Sequence, residues 1–326
     1  MKKTLTGGVL LIMSLLIIAC SNQSEEQLKN GTIEKNTLSI PVENGTLTAV
    51  FDIPEGTDSL PIAIIIAGSG PTDKDGNTVG ANGKNNSLKM LSDTLNERGI
   101  ATLRYDKRGV GDNTGLVNKE EDLTIESYVN DVVAIVHYIQ KDSRFASVNI
   151  VGHSEGSLIG MIAAQEAAVD KFISLAGVGQ SADKLLLEQL DGQLPPKLMD
   201  ETKNILNQLK QGKQVTDVSQ ELNVLFRPSV QPYLISWFTF NPVDIISSLN
   251  IPLLIVNGTN DIQVTEKEAH LLKEANPQAE LFIIEGMNHI LKQAPADRTG
   301  NLATYTNANL PLDEELSTKL VQFILK

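Results

Sequence analysis

The chain predicts an α/β fold in which a mainly parallel sheet carries helices on both faces. Three observations lead there. Short apolar runs recur along the sequence, amphipathic helical patterns fill most of the gaps between them, and residues 37–326 are long enough to enclose one large core.

The first residues read as a processing signal. Lys2 and Lys3 precede an uncharged apolar stretch from Leu5 to Ala19, too short for a membrane span and suited to a secretory signal over residues 1–19. It ends in Ile17-Ile18-Ala19-Cys20, which resembles the bacterial lipobox, so lipidation of Cys20 and cleavage before it are expected. Cys20 is the single cysteine of the chain, so no internal disulfide can form and an anchoring role explains it better than a redox role. Residues 20–36 are polar and aperiodic and read as a tether between lipid and domain. The expected location is therefore extracytoplasmic, lipid-anchored to a bacterial cell membrane. Removing residues 1–19 leaves 25 basic against 40 acidic residues, a net charge of −15. Such an acidic body argues against nucleic acid as a partner and against direct docking on an anionic bilayer.

The domain opens with a predicted hairpin, Leu38–Val42 and Leu47–Ile53, around Asn44-Gly45. Strands follow at Ile62–Ala67, Ile100–Tyr105, Val148–Val151, Phe172–Ala176, Leu253–Val256 and Leu281–Ile284. Helices are predicted at Leu88–Arg98, Ile125–Gln140, Ser154–Ala168, Glu266–Ala275 and Glu314–Leu325. The gap before Leu253 is too long for a simple crossover, so residues 181–247 read as a cap inserted over the site. Its helical segments include Lys184–Leu190 and Lys197–Leu209. Its second half holds Phe226, Tyr233, Trp237 and Phe238, candidates for an apolar acyl or alkyl pocket.

One segment points to chemistry. Val148 to Gly160 is an apolar strand turning through Gly152-His153-Ser154-Glu155-Gly156 into a small-residue helix, the pattern of a nucleophile elbow. Glycines on both sides leave room for the turn, and the serine sits at a helix N-terminus that favours negative charge. Ser154 is the candidate nucleophile. Asp261 follows the strand Leu253–Asn257 and His289 follows Leu281–Ile284, so both fall at the carboxyl edge of a parallel sheet, where ligands bind. The chain order Ser, Asp, His is that of the α/β-hydrolases and of neither the chymotrypsin nor the subtilisin arrangement. His289 would serve as base and Asp261 as its orienting acid; Asp244, the rival acid, precedes its strand. The oxyanion donors are expected to be the N–H groups of Glu155 and of Ser69, with Gly70 as the near alternative. Of the other histidines, His137 and His270 read as structural or solvated, and His153, beside the nucleophile, is expected to pack under the elbow, with lining the site as the alternative.

Other signals fall short. Gly177-Val178-Gly179-Gln180-Ser181-Ala182 half-matches a dinucleotide fingerprint but lies mid-sheet. Asp73-Lys74-Asp75-Gly76-Asn77 resembles only the start of a calcium loop, and no Cys/His cluster has zinc spacing, so neither metal nor cofactor is expected. Arg104–Gly111, though densely charged, reads as a strand-ending turn held by Asp–Arg pairing.

Taken together, Ala67–Asp73, Tyr105–Gly109, Gly152–Gly156, Asn257–Asp261 and Gly286–His289 make residues 38–326 resemble the bacterial α/β-hydrolase-fold esterases, close to the serine-aminopeptidase-like group. The resemblance implies an eight-stranded sheet, carboxylester hydrolysis through an acyl-enzyme, and no cofactor. Many lipases of that fold carry His-Gly where this chain has Ala67-Gly68, which argues against long-chain lipids. The expected function is a serine esterase acting on small to medium acyl esters. An amidase or aminopeptidase-type hydrolase is the alternative within the same chemistry, and a non-catalytic binding lipoprotein the alternative outside it.

Overall fold

A computed structural model describes residues 36–54 and 59–326. The expected signal, tether and lipidation site at Cys20 lie outside the described residues, apart from Asn36 at the start of the first strand. Eight strands form one sheet: β1 (Asn36–Val42), β2 (Gly45–Asp52), β3 (Leu60–Ile66), β4 (Ala101–Tyr105), β5 (Phe145–His153), β6 (Lys171–Leu175), β7 (Leu253–Gly258) and β8 (Glu280–Ile284). Their spatial order is β1-β2-β4-β3-β5-β6-β7-β8. The β1–β2 and β2–β4 pairs are antiparallel and the remaining five are parallel, so the sheet from β4 to β8 is parallel, as its apolar runs imply.

Helices α1 (Ser87–Glu97), α2 (Ile125–Ile139) and α3 (Glu155–Glu166) alternate with the early strands. Between β6 and β7 come α4 (Ala182–Leu190), α5 (Pro196–Lys210), α6 (Asn223–Phe226), α7 (Gln231–Phe238) and α8 (Pro242–Ser247). The chain ends with α9 (Glu266–Ala275), α10 (Arg298–Ala303) and α11 (Glu314–Leu325).

Strand β3 shows how the sheet is covered. Side chains alternate along a strand, so Ile62, Ile64 and Ile66 enter the larger core with α2 and α3. Ala63 and Ile65 enter a second core, with Leu88, Leu91 and Leu95 of α1 and Leu316 and Leu320 of α11. Both faces of the strand are buried, which is why its sequence is uniformly apolar instead of alternating. Helix α2 starts where the Thr124 hydroxyl accepts the N–H of Ser127, and α11 where the Asp313 carboxylate accepts the N–H of Leu316.

Candidate active site

The elbow is a backbone construction before it is a chemical one. At Ser154 the chain adopts φ 56° and ψ −119°, a region closed to most side chains, and enters α3 at the next residue. The turn closes only because its flanks are bare. A Cβ on Gly152 would collide with the carbonyl of Gly156, and one on Gly156 would lie 2.7 Å from the carbonyl oxygen of Ala67. The N–H of Ser154 donates to the carbonyl of Leu175 at 2.8 Å, tying the elbow to β6. The loop after β3 crosses it closely: a Cβ on Gly68 would sit 3.1 Å from the Cβ of Ser154.

Asp261 and His289 meet at the same edge. His289 Nδ1 lies 2.7 Å from Asp261 Oδ2, both side chains being buried. The other oxygen, Asp261 Oδ1, accepts the N–H groups of Gln263 and Val264 at 2.8 Å each, so the carboxylate is held by backbone on one side and faces the imidazole with the other. The loop carrying His289 is braced from outside. Asn288 donates to Thr304 Oγ1 at 2.8 Å, and buried Lys292 donates to the Asn85 carbonyl at 2.6 Å. The imidazole of His153, chain neighbour of Ser154, lies 4.9 Å from that of His289 between ring centroids, and its Nε2 is 2.7 Å from the His289 carbonyl oxygen. That nitrogen therefore carries the proton, and burial, reinforced by the neighbouring His289, pushes the His153 pKa down to about 3. Among the described residues no hydrogen bond joins Ser154 Oγ to the His289 ring. Such bonds commonly tighten only when substrate is bound. Asp244 stays apart, in the first turn of α8, where it accepts from Asn241 at 2.7 Å.

A narrow pocket opens beside the serine. It is lined by Ser154, Glu155 and Leu158 at the elbow, by Val178, Gln180 and Ala182 after β6, and by Trp237, Phe240 and Pro242 from the region of α7 and α8. Of the four aromatic candidates only Trp237 lines it. Phe226 and Phe238 are buried in the large apolar cluster, and the Tyr233 hydroxyl donates to Glu155 instead. The physical reason is that a helix of an inserted segment must also cover its own underside, and the largest side chains do so. Val178 and Gln180 come from the half-matched dinucleotide motif, whose place is here explained. Buried Glu268 accepts the N–H groups of Gly179 and Gln180 at 2.9 and 3.0 Å, which holds this wall of the pocket.

Sequence reasoning left Lys107 structural, and the structure brings it to the site. Its ammonium donates to Glu155 Oε1 and to the Gly68 carbonyl, each at 2.6 Å, and is wholly buried. Tyr233 donates to the remaining oxygen, Glu155 Oε2. The arginines of the same turn pair outside it, Arg108 with Asp131 and Arg104 with Asp52 and Asp75, while the turn's own Asp106 binds Lys74 and, among the described residues, no arginine. The calcium-like segment is used up in a turn, with Asp73 accepting the N–H groups of Asp75 and Asn77. No group of three or more His, Cys, Asp or Glu side chains converges as a metal site among the described residues.

With this geometry in hand, comparison with known proteins is informative. The family model described as serine aminopeptidase, S33, matches residues 79–293, a span that includes positions 154, 261 and 289. Esterase EstD of Thermotoga maritima is 28% identical over 254 residues, which are 75% of this chain and 58% of that protein. The chain thus spans under two thirds of that relative's length. Among solved structures, Est1E of Butyrivibrio proteoclasticus with ferulic acid bound superposes with a TM-score of 0.59 at 23% identity, over 89% of this chain and 100% of that one. The proline iminopeptidase of Mycobacterium smegmatis gives 0.58 at 14% identity, over 89% and 98%. These two likenesses establish the α/β-hydrolase fold.

Proposed function

Since the chain belongs to the serine aminopeptidase S33 family of α/β-hydrolases, we propose that it is a serine carboxylester hydrolase acting on small to medium acyl esters through an acyl-enzyme. The observation that carries the reading is the Asp261–His289 pair, 2.7 Å apart, at the same sheet edge as the strained serine elbow. His289 Nε2 takes the Ser154 proton as Oγ attacks the ester carbon, then returns it to the departing alkoxide. Water repeats the sequence on the acyl-enzyme and releases the acid. Asp261 keeps the Nδ1–H tautomer and stabilises the imidazolium.

The N–H groups of Ser69 and Glu155 receive the oxyanion. Two features support this: neither is engaged by another protein group among the described residues, and the Gly68 loop lies against Ser154. The α4–α8 insertion acts as the cap, and the slot lined by Trp237, Phe240 and Leu158 takes the apolar part of the substrate.

The family description favours a second reading, cleavage of a peptide with a free amine. Such a substrate needs an unengaged carboxylate, and the one carboxylate lining the pocket, Glu155, already has both oxygens occupied by Lys107 and Tyr233. The neutral ester is therefore preferred.

Turnover of p-nitrophenyl acetate and butyrate by the full-length chain, with fluorophosphonate labelling abolished in Ser154→Ala, tests the assignment. No turnover and no labelling would leave a non-catalytic binding protein, and aminoacyl-naphthylamide turnover above ester turnover would favour the peptidase. We further propose an extracytoplasmic enzyme anchored through lipid on Cys20, from the lipobox-like sequence. Palmitate incorporation that persists in Cys20→Ser would overturn it.

A further inference from the structure

The buried Lys107–Glu155 pair touches both the loop after β3 and the first residue of α3. Nζ of Lys107 has two oxygen partners at 2.6 Å, the carboxylate of Glu155 and the main-chain carbonyl of Gly68. The peptide group that contains the Gly68 carbonyl also contains the N–H of Ser69. A trans peptide is planar, with its C=O and N–H pointing in opposite directions. An ammonium seated on the Gly68 oxygen therefore fixes the direction of the Ser69 N–H. The same ammonium holds the side chain of Glu155, the residue whose own N–H is the second donor beside Ser154.

We propose that Lys107 is the positioning residue of the oxyanion hole: one buried cation clamps both of its arms, the Gly68–Ser69 peptide and Glu155, in register around Ser154. The inference rests on the hydrolase reading above and extends it.

Two surrounding contacts suit the clamp to this task. The ring of Tyr128 lies 5.0 Å below the ammonium, covering a face that would otherwise need water. Tyr233 of α7 donates to Glu155 Oε2, so the cap helix is part of the assembly and its seating is communicated to the donors. Burial and the Glu155 carboxylate both raise the pKa of the Tyr233 phenol well above its ordinary value, so it remains a donor throughout the working pH range. A cation on the carbonyl side of the peptide also draws electron density from its N–H, strengthening the donor. Because the positive charge is matched by Glu155, the clamp adds no net field that would bind substrate and transition state alike. Its effect belongs to the step in which the carbonyl becomes an oxyanion.

The test uses the full-length chain in three forms: wild type, Lys107→Met, and the double variant Lys107→Met with Glu155→Gln, which leaves no unpaired buried carboxylate. The double variant is expected to melt close to wild type. Its kcat on p-nitrophenyl butyrate is expected to fall about 100-fold, as for loss of an oxyanion donor, with KM within about threefold. Affinity for an alkylboronic acid, which forms a tetrahedral adduct on the serine, should fall in parallel with kcat, and affinity for the carboxylate product should not. A double variant that folds and retains wild-type kcat overturns the inference alone. A wild type that neither turns over ester nor reacts with fluorophosphonate overturns the hydrolase reading, and the inference with it. If Lys107→Met fails to fold, the double variant still decides; equal losses of boronate and product affinity would reduce Lys107 to a structural brace.

Discussion

Nδ1 of His289 stands 2.7 Å from Oδ2 of Asp261, while Oδ1 of that carboxylate is occupied by the N–H groups of Gln263 and Val264. This division of labour makes a sharp prediction for Asp261→Asn. Two backbone donors demand an oxygen at the first position, so the amide nitrogen must turn toward His289. It then donates to Nδ1 and forces the proton onto Nε2, the nitrogen that has to accept from Ser154. Ester turnover should drop on the order of 10⁴-fold, with the fold and substrate binding retained. Steady-state kinetics with a circular-dichroism melt measures both, and a loss smaller than tenfold would remove Asp261 from the proton relay.

The Ser154 backbone, at φ 56°, offers a test of stored strain. Ser154→Ala and Ser154→Gly both remove the hydroxyl, but only glycine tolerates these torsions without a Cβ clash. Ser154→Gly should be more stable than Ser154→Ala by ~1 kcal/mol, the strain relief being partly offset by the greater freedom of glycine in the unfolded chain. Urea unfolding of the two inactive variants gives the difference directly. Equal midpoints would mean that the elbow strain does not exceed the entropic cost of the glycine.

His153 makes stability depend on acid in a defined direction. Burial lowers its pKa from the ordinary 6.5 to about 3, so between those values the unfolded chain binds a proton that the native state refuses. The stabilisation is complete above about pH 6.5 and is lost progressively as pH falls toward 3. Its slope is about 1.4 kcal/mol per pH unit. His153→Gln keeps a donor for the His289 carbonyl and removes the titration. Unfolding free energies at pH 4, 5 and 6 should therefore decline less steeply in the variant than in wild type, and identical slopes would assign the acid sensitivity to other groups.

What could be seen in the sequence divides along physical lines. Strands such as Ile62–Ala67 and the turn Gly152–Gly156 were legible because their cause is local: uninterrupted apolar residues for a strand buried on both faces, and missing side chains where backbones nearly touch. The hairpin at Asn44-Gly45 was legible for the same reason, with Asn44 at φ 66°. Lys107 was not. Its partners Gly68, Glu155 and Tyr128 come from three other elements, and only the density of charge in Asp106-Lys107-Arg108 hinted at something more than a turn. Phe226 and Phe238 were misplaced because sequence reports that an aromatic will be buried and is silent on whether it faces a substrate or another helix.

Trp237 is the one aromatic candidate at the pocket, and its size should set the acyl length. Its indole borders the same narrow pocket as Ser154, with Phe240 and Leu158 also in the wall. The ring also packs against Tyr233 at 5.6 Å, so it is braced and cannot simply swing aside. Trp237→Leu removes several carbons' worth of volume while keeping the wall apolar. Each methylene accommodated in an apolar slot is worth ~1–3 kcal/mol of transition-state binding. The ratio of kcat/KM for p-nitrophenyl octanoate over butyrate should rise at least about tenfold in the variant, at a stability cost of roughly 2 kcal/mol for the lost packing. Butyrate turnover itself should change little, because Ser154, His289 and the N–H groups of Ser69 and Glu155 are untouched. If the ratio stays at its wild-type value, the acyl chain does not occupy this slot, and the alcohol part of the ester lies against Trp237 instead; varying the alcohol at constant acyl length would then shift with the substitution.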